Sequence, residues 1–158
     1  MNTATRPRRR RWRAGLCVAA LAWVGALLWA PGAAAAPSST LRFHAAGFVY
    51  LAGRTVCHQQ GARSLHLAGT QLPVCARCTG LYLGALVGSL VAVRSRGRLA
   101  TGRARGLLLI VAVPTAATVA AAWFGWGDVS NAARAWLAVP LGAALGWAVP
   151  SALDEGLE

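Results

Sequence analysis

The stretch "LPVCARCTGLYLGALVGSLVAVR" (72–94) decides the fold. From Pro73 to Val93 it is one apolar run, and a bilayer is crossed by about 20 such residues in a helix. Gly80, Gly84 and Gly88 recur every fourth residue, so they share one helix face. Small residues at that spacing let two backbones approach closely in lipid, where apolar side chains gain little by leaving their solvent. Gly142 and Gly146 repeat the step near the end of the chain. At the front of the run, Pro73 suits a first helical turn. A helix beginning there carries Cys75 and Cys78 on one face of its first turn.

Three more apolar runs flank this one. Ala14 to Ala30 follows "RPRRRRWR" (6–13) and ends at the breakers Pro31 and Gly32. It reads either as a transmembrane helix or as a secretory signal with a cleavage site near Ala33-Ala34-Ala35. Leu16 before Cys17 excludes a lipoprotein signal, which needs a small residue there. Gly106 or Leu107 to Phe124 is the third run, and Ala135 to Val149 is a shorter fourth. Between the first two, Leu41 to Val56 reads as a helix. Arg42 and Arg54 leave it too short to span, so it is expected at the interface or packed on the bundle. Residues 58–71, with Gly61 and Gly69, read as a loop.

The composition agrees with lipid as solvent. The chain is 56% hydrophobic and 13% charged, against roughly 25% charged in soluble domains, and its mean hydropathy is +0.49. The net charge of +12 would suit nucleic acid, but its placement does not. All the basic residues are Arg; six lie within 6–13 and five within 94–105. Both blocks border apolar runs, as the positive-inside rule expects, and no basic face on a soluble fold is visible. The expectation is therefore a multi-pass protein of the cytoplasmic (inner) membrane, in contact with the lipid bilayer, with no nucleic acid as partner. The basic loop and the tail 151–158 face the cytoplasm, and residues 57–78 and 125–134 face outward. Trp123, Trp126 and Trp136 bracket the outer loop as an aromatic belt would. The fold class expected is all-α: a helical bundle of three to four transmembrane helices plus one interfacial helix. Residues 1–36 form the first helix or signal, and 37–150 a single membrane domain.

Chemistry concentrates between Cys57 and Cys78. That segment holds three of the four Cys and two of the three His. A Cys-x-x-Cys pair is the usual half of a zinc site. Cys57, Cys75 and Cys78 supply three ligands, and His58 or His66 a fourth, with Zn2+ favoured for its tolerance of mixed S/N ligands. A helix N-terminus and Arg77 both favour thiolate there. Two other readings stay open. One is thiol–disulfide exchange in an oxidising compartment, although no βαβ pattern of the thioredoxin type surrounds the pair. The other is a disulfide that merely ties the segment to the helix end. Cys17 reads as an inert residue, either packed or cleaved off with the signal. No phosphate-cradling Gly loop, Ser-His-Asp set or paired-carboxylate site is present, and the four acidic residues leave carboxylate catalysis little to work with.

At "CHQ" (57–59), "RSLH" (63–66) and "LPVCARCTGLYLG" (72–84) the chain resembles a family of small bacterial membrane proteins catalogued as domain of unknown function 2085. The likeness extends more loosely through Pro114 to "VSNAAR" (129–134), covering roughly residues 45–147. It implies a membrane protein with this signature and no particular reaction. Where the family usually carries an Asp and a Gln after the proline of the third helix, Thr118 and Ala122 stand here. An activity that rests on those groups in relatives is in doubt for this chain. The likeness also draws attention to Asn131 and Arg134, three apart on one helix face and on the same side as the cysteines. Arg54, Arg63, Arg77 and Arg134 then converge with His58 at the outer interface. Arg63, Arg77, Asn131 and Arg134 are expected to meet an anionic group such as a lipid headgroup phosphate. Asp128 is expected to cap the following helix or pair with Arg134. Gln59 and Ser64 read as loop hydrogen-bonders and His44 as a packed residue. The runner-up function is thus an enzyme or carrier for a lipid-linked anionic substrate, and the third a structural subunit with a stapled loop.

Overall fold

A computed structural model describes residues 5–35, 39–95 and 101–155. Residues 96–100 of the basic loop, 156–158 of the tail and the 36/37 boundary lie outside the described residues. The chain is a helical bundle with one small hairpin. Its elements are α1 (Thr5–Ala35), α2 (Thr40–Val56), a single 3-10 turn (Gly61–Arg63), β1 (Ser64–Leu67), β2 (Thr70–Cys75), α3 (Ala76–Arg94), α4 (Thr101–Trp123) and α5 (Asn131–Glu155). Among the described residues, four helices are long and apolar enough to span a bilayer: Arg10–Ala35, Ala76–Arg94, Ala104–Trp123 and Asn131–Leu153. The all-α membrane bundle expected from the apolar runs is therefore present.

The tightest pair is α3 with α5, and the glycine steps explain it. A Cβ on Gly80, Gly84 or Gly88 would overlap the carbonyl oxygens of Ala135, Val139 and Ala143, respectively. One on Gly142 or Gly146 would overlap those of Leu81 and Ala85. Each helix thus presses backbone into the other's glycine groove. α4 rests on α5 more lightly, with the Thr115 hydroxyl donating to the Leu137 carbonyl at 3.0 Å.

α1 runs antiparallel to α3. Arg13 donates to the carbonyls of Ala92 (2.8 Å) and Ser95 (3.0 Å), filling acceptors that the end of α3 leaves open. Trp23 meets Tyr82 edge-on at 5.9 Å. Farther along, Leu27 packs with Cys57 and Val74. The helix passes through Pro31, expected to break it, and continues to Ala35. Pro31 costs one backbone bond, but it is fully buried beside the Ala30, Ala33 and Ala46 contact with α2.

α2 buries the face of Ala46 and Gly53, with Val49 and Tyr50 beside them, the i, i+3, i+4, i+7 pattern of one helix stripe. His44 falls off that stripe. It is exposed, edge-on to Phe43 at 6.1 Å, rather than packed as expected.

The segment expected as a loop is an antiparallel hairpin. Leu67 pairs with Thr70, His66 with Gln71 and Ser64 with Cys75, with an irregularity between Ser64 and His66. Ala68 (φ 50°) and Gly69 (φ 80°) form its two-residue turn. Positive φ at both positions gives the twist that strands prefer. Pro73 therefore lies in β2, and α3 starts at Ala76 rather than at Pro73. The fourth span is also longer than the apolar run from Ala135 suggested. It begins at Asn131 because Arg134 is neutralised in place, as described next.

Candidate metal centre

Cys57 closes α2 and Cys75 opens α3, as the residues flanking each helix. Gln59 fixes the distance between them. Its side-chain amide donates to the carbonyls of Tyr50 (2.7 Å) and Pro73 (2.6 Å), clamping the end of α2 to β2 from a left-handed backbone (φ 50°). Gly53 makes room, since a Cβ there would strike the Pro73 carbonyl. Gln71 donates back to the Gln59 carbonyl at 2.8 Å, and the Tyr50 hydroxyl donates to the Gln71 carbonyl. Burial holds the Tyr50 phenol above its ordinary range. Ser64, 1% exposed, donates to the Gln60 carbonyl at 2.8 Å. Gln59 and Ser64 are thus the hydrogen-bonders they were expected to be.

This frame brings three sulfurs together. The Sγ atoms of Cys57, Cys75 and Cys78 all lie within 4.8 Å of one another. The Cys75 amide donates to Cys57 Sγ at 3.1 Å. Cys57 is buried and the other two are half-buried. All four cysteines are free thiols, Cys17 included. The Cys75 thiol is pulled from its ordinary 9.0 down to about 5. The Cys78 thiol hydrogen-bonded to its sulfur is the main cause; partial burial opposes it, and the Cys78 amide, the Cys57 thiol and the Arg77 amide add to the lowering. Those amides face the sulfur from the first turn of α3 without closing a full capping bond. A thiolate in a nest of soft neighbours is the state that binds metal or attacks a disulfide. His58 and His66 are exposed, and neither joins the three-sulfur group.

The second set of expected residues meets at the same end of the bundle. Asn131 donates to the carbonyls of Ala62 and Ser64, both at 3.1 Å, which ties α5 to the hairpin. Its carbonyl oxygen accepts from Arg134 at 2.6 Å. Arg134 is 4% exposed and pairs with Asp128, whose carboxyl is held below its ordinary range chiefly by that guanidinium. Asp128 thus pairs rather than caps. The cap is Ser130, whose hydroxyl accepts from the Ala133 amide at 3.2 Å, a role overlooked in the sequence although Ser is a preferred N-cap residue. Arg77 donates to the Thr118 carbonyl at 3.2 Å and so joins α3 to α4. It lies within electrostatic range of Cys75, Arg134, Arg63 and Asp128. Arg63 is exposed at the rim, as are Arg54 and His58. Among the described residues, no hydrogen bond or ion pair ties Arg54 or His58 to this group.

The family described as "Predicted membrane protein (DUF2085)" matches residues 57–148, which begin at the first of the three clustered cysteines and end inside α5. A protein of Methanothermobacter thermautotrophicus, named only as uncharacterized, is 32% identical over 92 residues, 58% of this chain and 82% of its own. A second uncharacterized protein, from Methanocaldococcus jannaschii, is 42% identical over 43 residues. That match spans 27% of this chain and 28% of the relative's length. No solved structure matches the chain.

Proposed function

The chain belongs to the DUF2085 family of predicted membrane proteins, and from that premise we propose that it is a metal-binding protein of the cytoplasmic membrane, with Cys57, Cys75 and Cys78 as thiolate ligands on the outer face. The observation that carries this reading is the approach of three sulfurs to within 4.8 Å of one another. Thiolates around a tetrahedral zinc, each at about 2.3 Å, stand roughly 3.8 Å apart, so only a small contraction is needed. A Cys-rich set suits Zn2+ first. His58, next to Cys57 in the chain, is the protein group assigned to the fourth position, and it must swing in from its exposed place to reach the ion. The orientation follows from the Arg blocks at the start of α1 and between α3 and α4.

The depressed thiol of Cys75 supports a second reading, thiol–disulfide exchange. Its thiolate attacks a partner disulfide and releases one partner thiolate. Cys78 or Cys57 then displaces the second, leaving an internal disulfide and a reduced partner.

Metal analysis of the purified protein separates the two. The metal reading expects close to one ion per chain, lost in Cys75→Ser. Less than about 0.2 per chain, unchanged by that substitution, removes it. Occupancy that survives His58→Ala takes His58 out of the ligand set. The redox reading expects a reductant-sensitive fraction of blocked thiols; permanently free thiols at all three positions exclude it.

A further inference from the structure

Beside the cysteines, Arg63, Arg77 and Arg134 from three different elements converge on a single carboxylate, Asp128. Three guanidinium groups against one carboxylate leave an uncompensated positive charge at the bundle end. Arg134 is 4% exposed, and its Nε has no hydrogen-bond partner; neither has the buried Nε of Arg77. Buried donors without acceptors are costly, and here two of them, on neighbouring helices, belong to one charge cluster. The start of α5 adds the partial positive charge of a 25-residue helix. Asp128 is the one carboxylate present, and the Cys75 thiolate, which also acts on Arg77, leaves the cluster still net positive. Asp128 is 53% exposed and stands on a short connection in which Gly125 (φ 70°) and Gly127 (φ 133°) adopt left-handed backbones. It therefore reaches Arg134 from the solvent side and can withdraw without unpacking a helix.

We propose that Arg63, Arg77 and Arg134 form a binding site for a phosphate-class oxyanion, and that Asp128 occupies this site as an exchangeable internal anion. Arginine forks match the oxygens of a phosphoryl group, and a dianion compensates three guanidinium groups better than one carboxylate does. The ligand is a lipid headgroup phosphate or a free phosphate. The site does not depend on metal at the cysteines.

The test is thermal unfolding of the full chain in a non-ionic detergent. Titrants are inorganic phosphate, chloride at matched ionic strength, and mixed micelles of phosphatidylglycerol or phosphatidylcholine. Asp128→Asn leaves Arg134 without its carboxylate and should lower Tm by about 5 °C. Phosphate or phosphatidylglycerol should then restore it, at an affinity about tenfold above that of the native chain, because the internal competitor is gone. Rescue by inorganic phosphate identifies a free anion, and rescue by phosphatidylglycerol alone a headgroup. Arg63→Gln, at an exposed position, should weaken the rescue, and Cys75→Ser, which removes a negative charge near Arg77, should not weaken it. The proposal is overturned if neither phosphate source stabilises Asp128→Asn or the native chain. It is equally overturned if chloride does as well, or if Arg63→Gln and Arg77→Gln both leave the response unchanged.

Discussion

The Cys75 amide donates to the Cys57 sulfur at 3.1 Å, so the residue that ends α2 touches the residue that begins α3. Seventeen residues of turn and hairpin lie between them in sequence. The contact forms because Gln59 and Gly53 hold α2 against Pro73, and it makes the sulfur cluster a property of tertiary packing rather than of the Cys-x-x-Cys pair alone.

Cys75 should be the reactive thiol of the metal-free protein. With its thiol pulled down to about 5, its site-resolved alkylation rate should be nearly flat from pH 8 to about 6.5 and fall to half near pH 5. Cys78→Ala removes the main cause and should move that midpoint upward. The linked stability has a definite sign. A depressed thiol stabilises the fold fully only above the ordinary 9.0 of the unfolded chain, and this contribution is gone once pH has fallen through about 5. A Cys75 alkylation midpoint near 9 would contradict the hydrogen-bonding described here.

The helix α1 should be retained in the mature protein. Leu27, 2% exposed, packs on Cys57 and Val74, and Ala30 and Ala33 pack on Ala46 of α2. Removing residues 1–35 would strip one wall from the cysteine site. Intact-mass measurement of the membrane-extracted protein should show these residues present. In spheroplasts, an impermeant maleimide should label the cluster from outside once metal is chelated; labelling only after lysis would reverse the orientation.

The glycine groove predicts a sharp contrast. Gly84→Val places side-chain atoms where the Val139 carbonyl and the Ala143 amide already lie, and should cost about 3 kcal/mol or more. Gly106→Ala in α4 meets nothing within 4 Å. It should be neutral or stabilising by about 0.5–1 kcal/mol, from helix propensity alone. Unfolding in mixed micelles measures both; similar effects at the two positions would contradict the packing of α3 on α5.

The spans and the glycine faces were legible because lipid imposes a simple rule on sequence: a long apolar run with small residues at a four-residue step. The hairpin was not. Its turn is Ala68-Gly69 rather than the Asn-Gly or Asp-Gly that signals a two-residue loop, and Pro73 inside β2 imitates a helix start. Asn131 and Arg134 were visible as a pair on one face, but not the reason Arg134 is buried, since Asp128 and Asn131 must first close around it. The approach of Cys57 to Cys75 was likewise hidden, because the amide clamp that produces it joins Gln59 to two backbone carbonyls, and backbone acceptors carry no residue signature.

That clamp supplies the last prediction. Gln59→Ala removes donors to the Tyr50 and Pro73 carbonyls and leaves the Gln71 amide both of its acceptors, the residue-59 carbonyl and the Ser64 hydroxyl. Half-buried carbonyls without donors should cost about 1–3 kcal/mol. The effect should be local, because α3 and α5 hold each other without it. Hydrogen exchange should therefore rise across residues 50–75 and stay unchanged along α5. The cysteine site should loosen in parallel, with faster alkylation of Cys57, which is now 7% exposed. Gln59→Glu tests the donor specifically. It keeps size and reach but offers oxygens to carbonyl oxygens, so it should be at least as damaging as Gln59→Ala. A Glu variant that behaved like the native chain would show that residue 59 acts through packing and not through its amide.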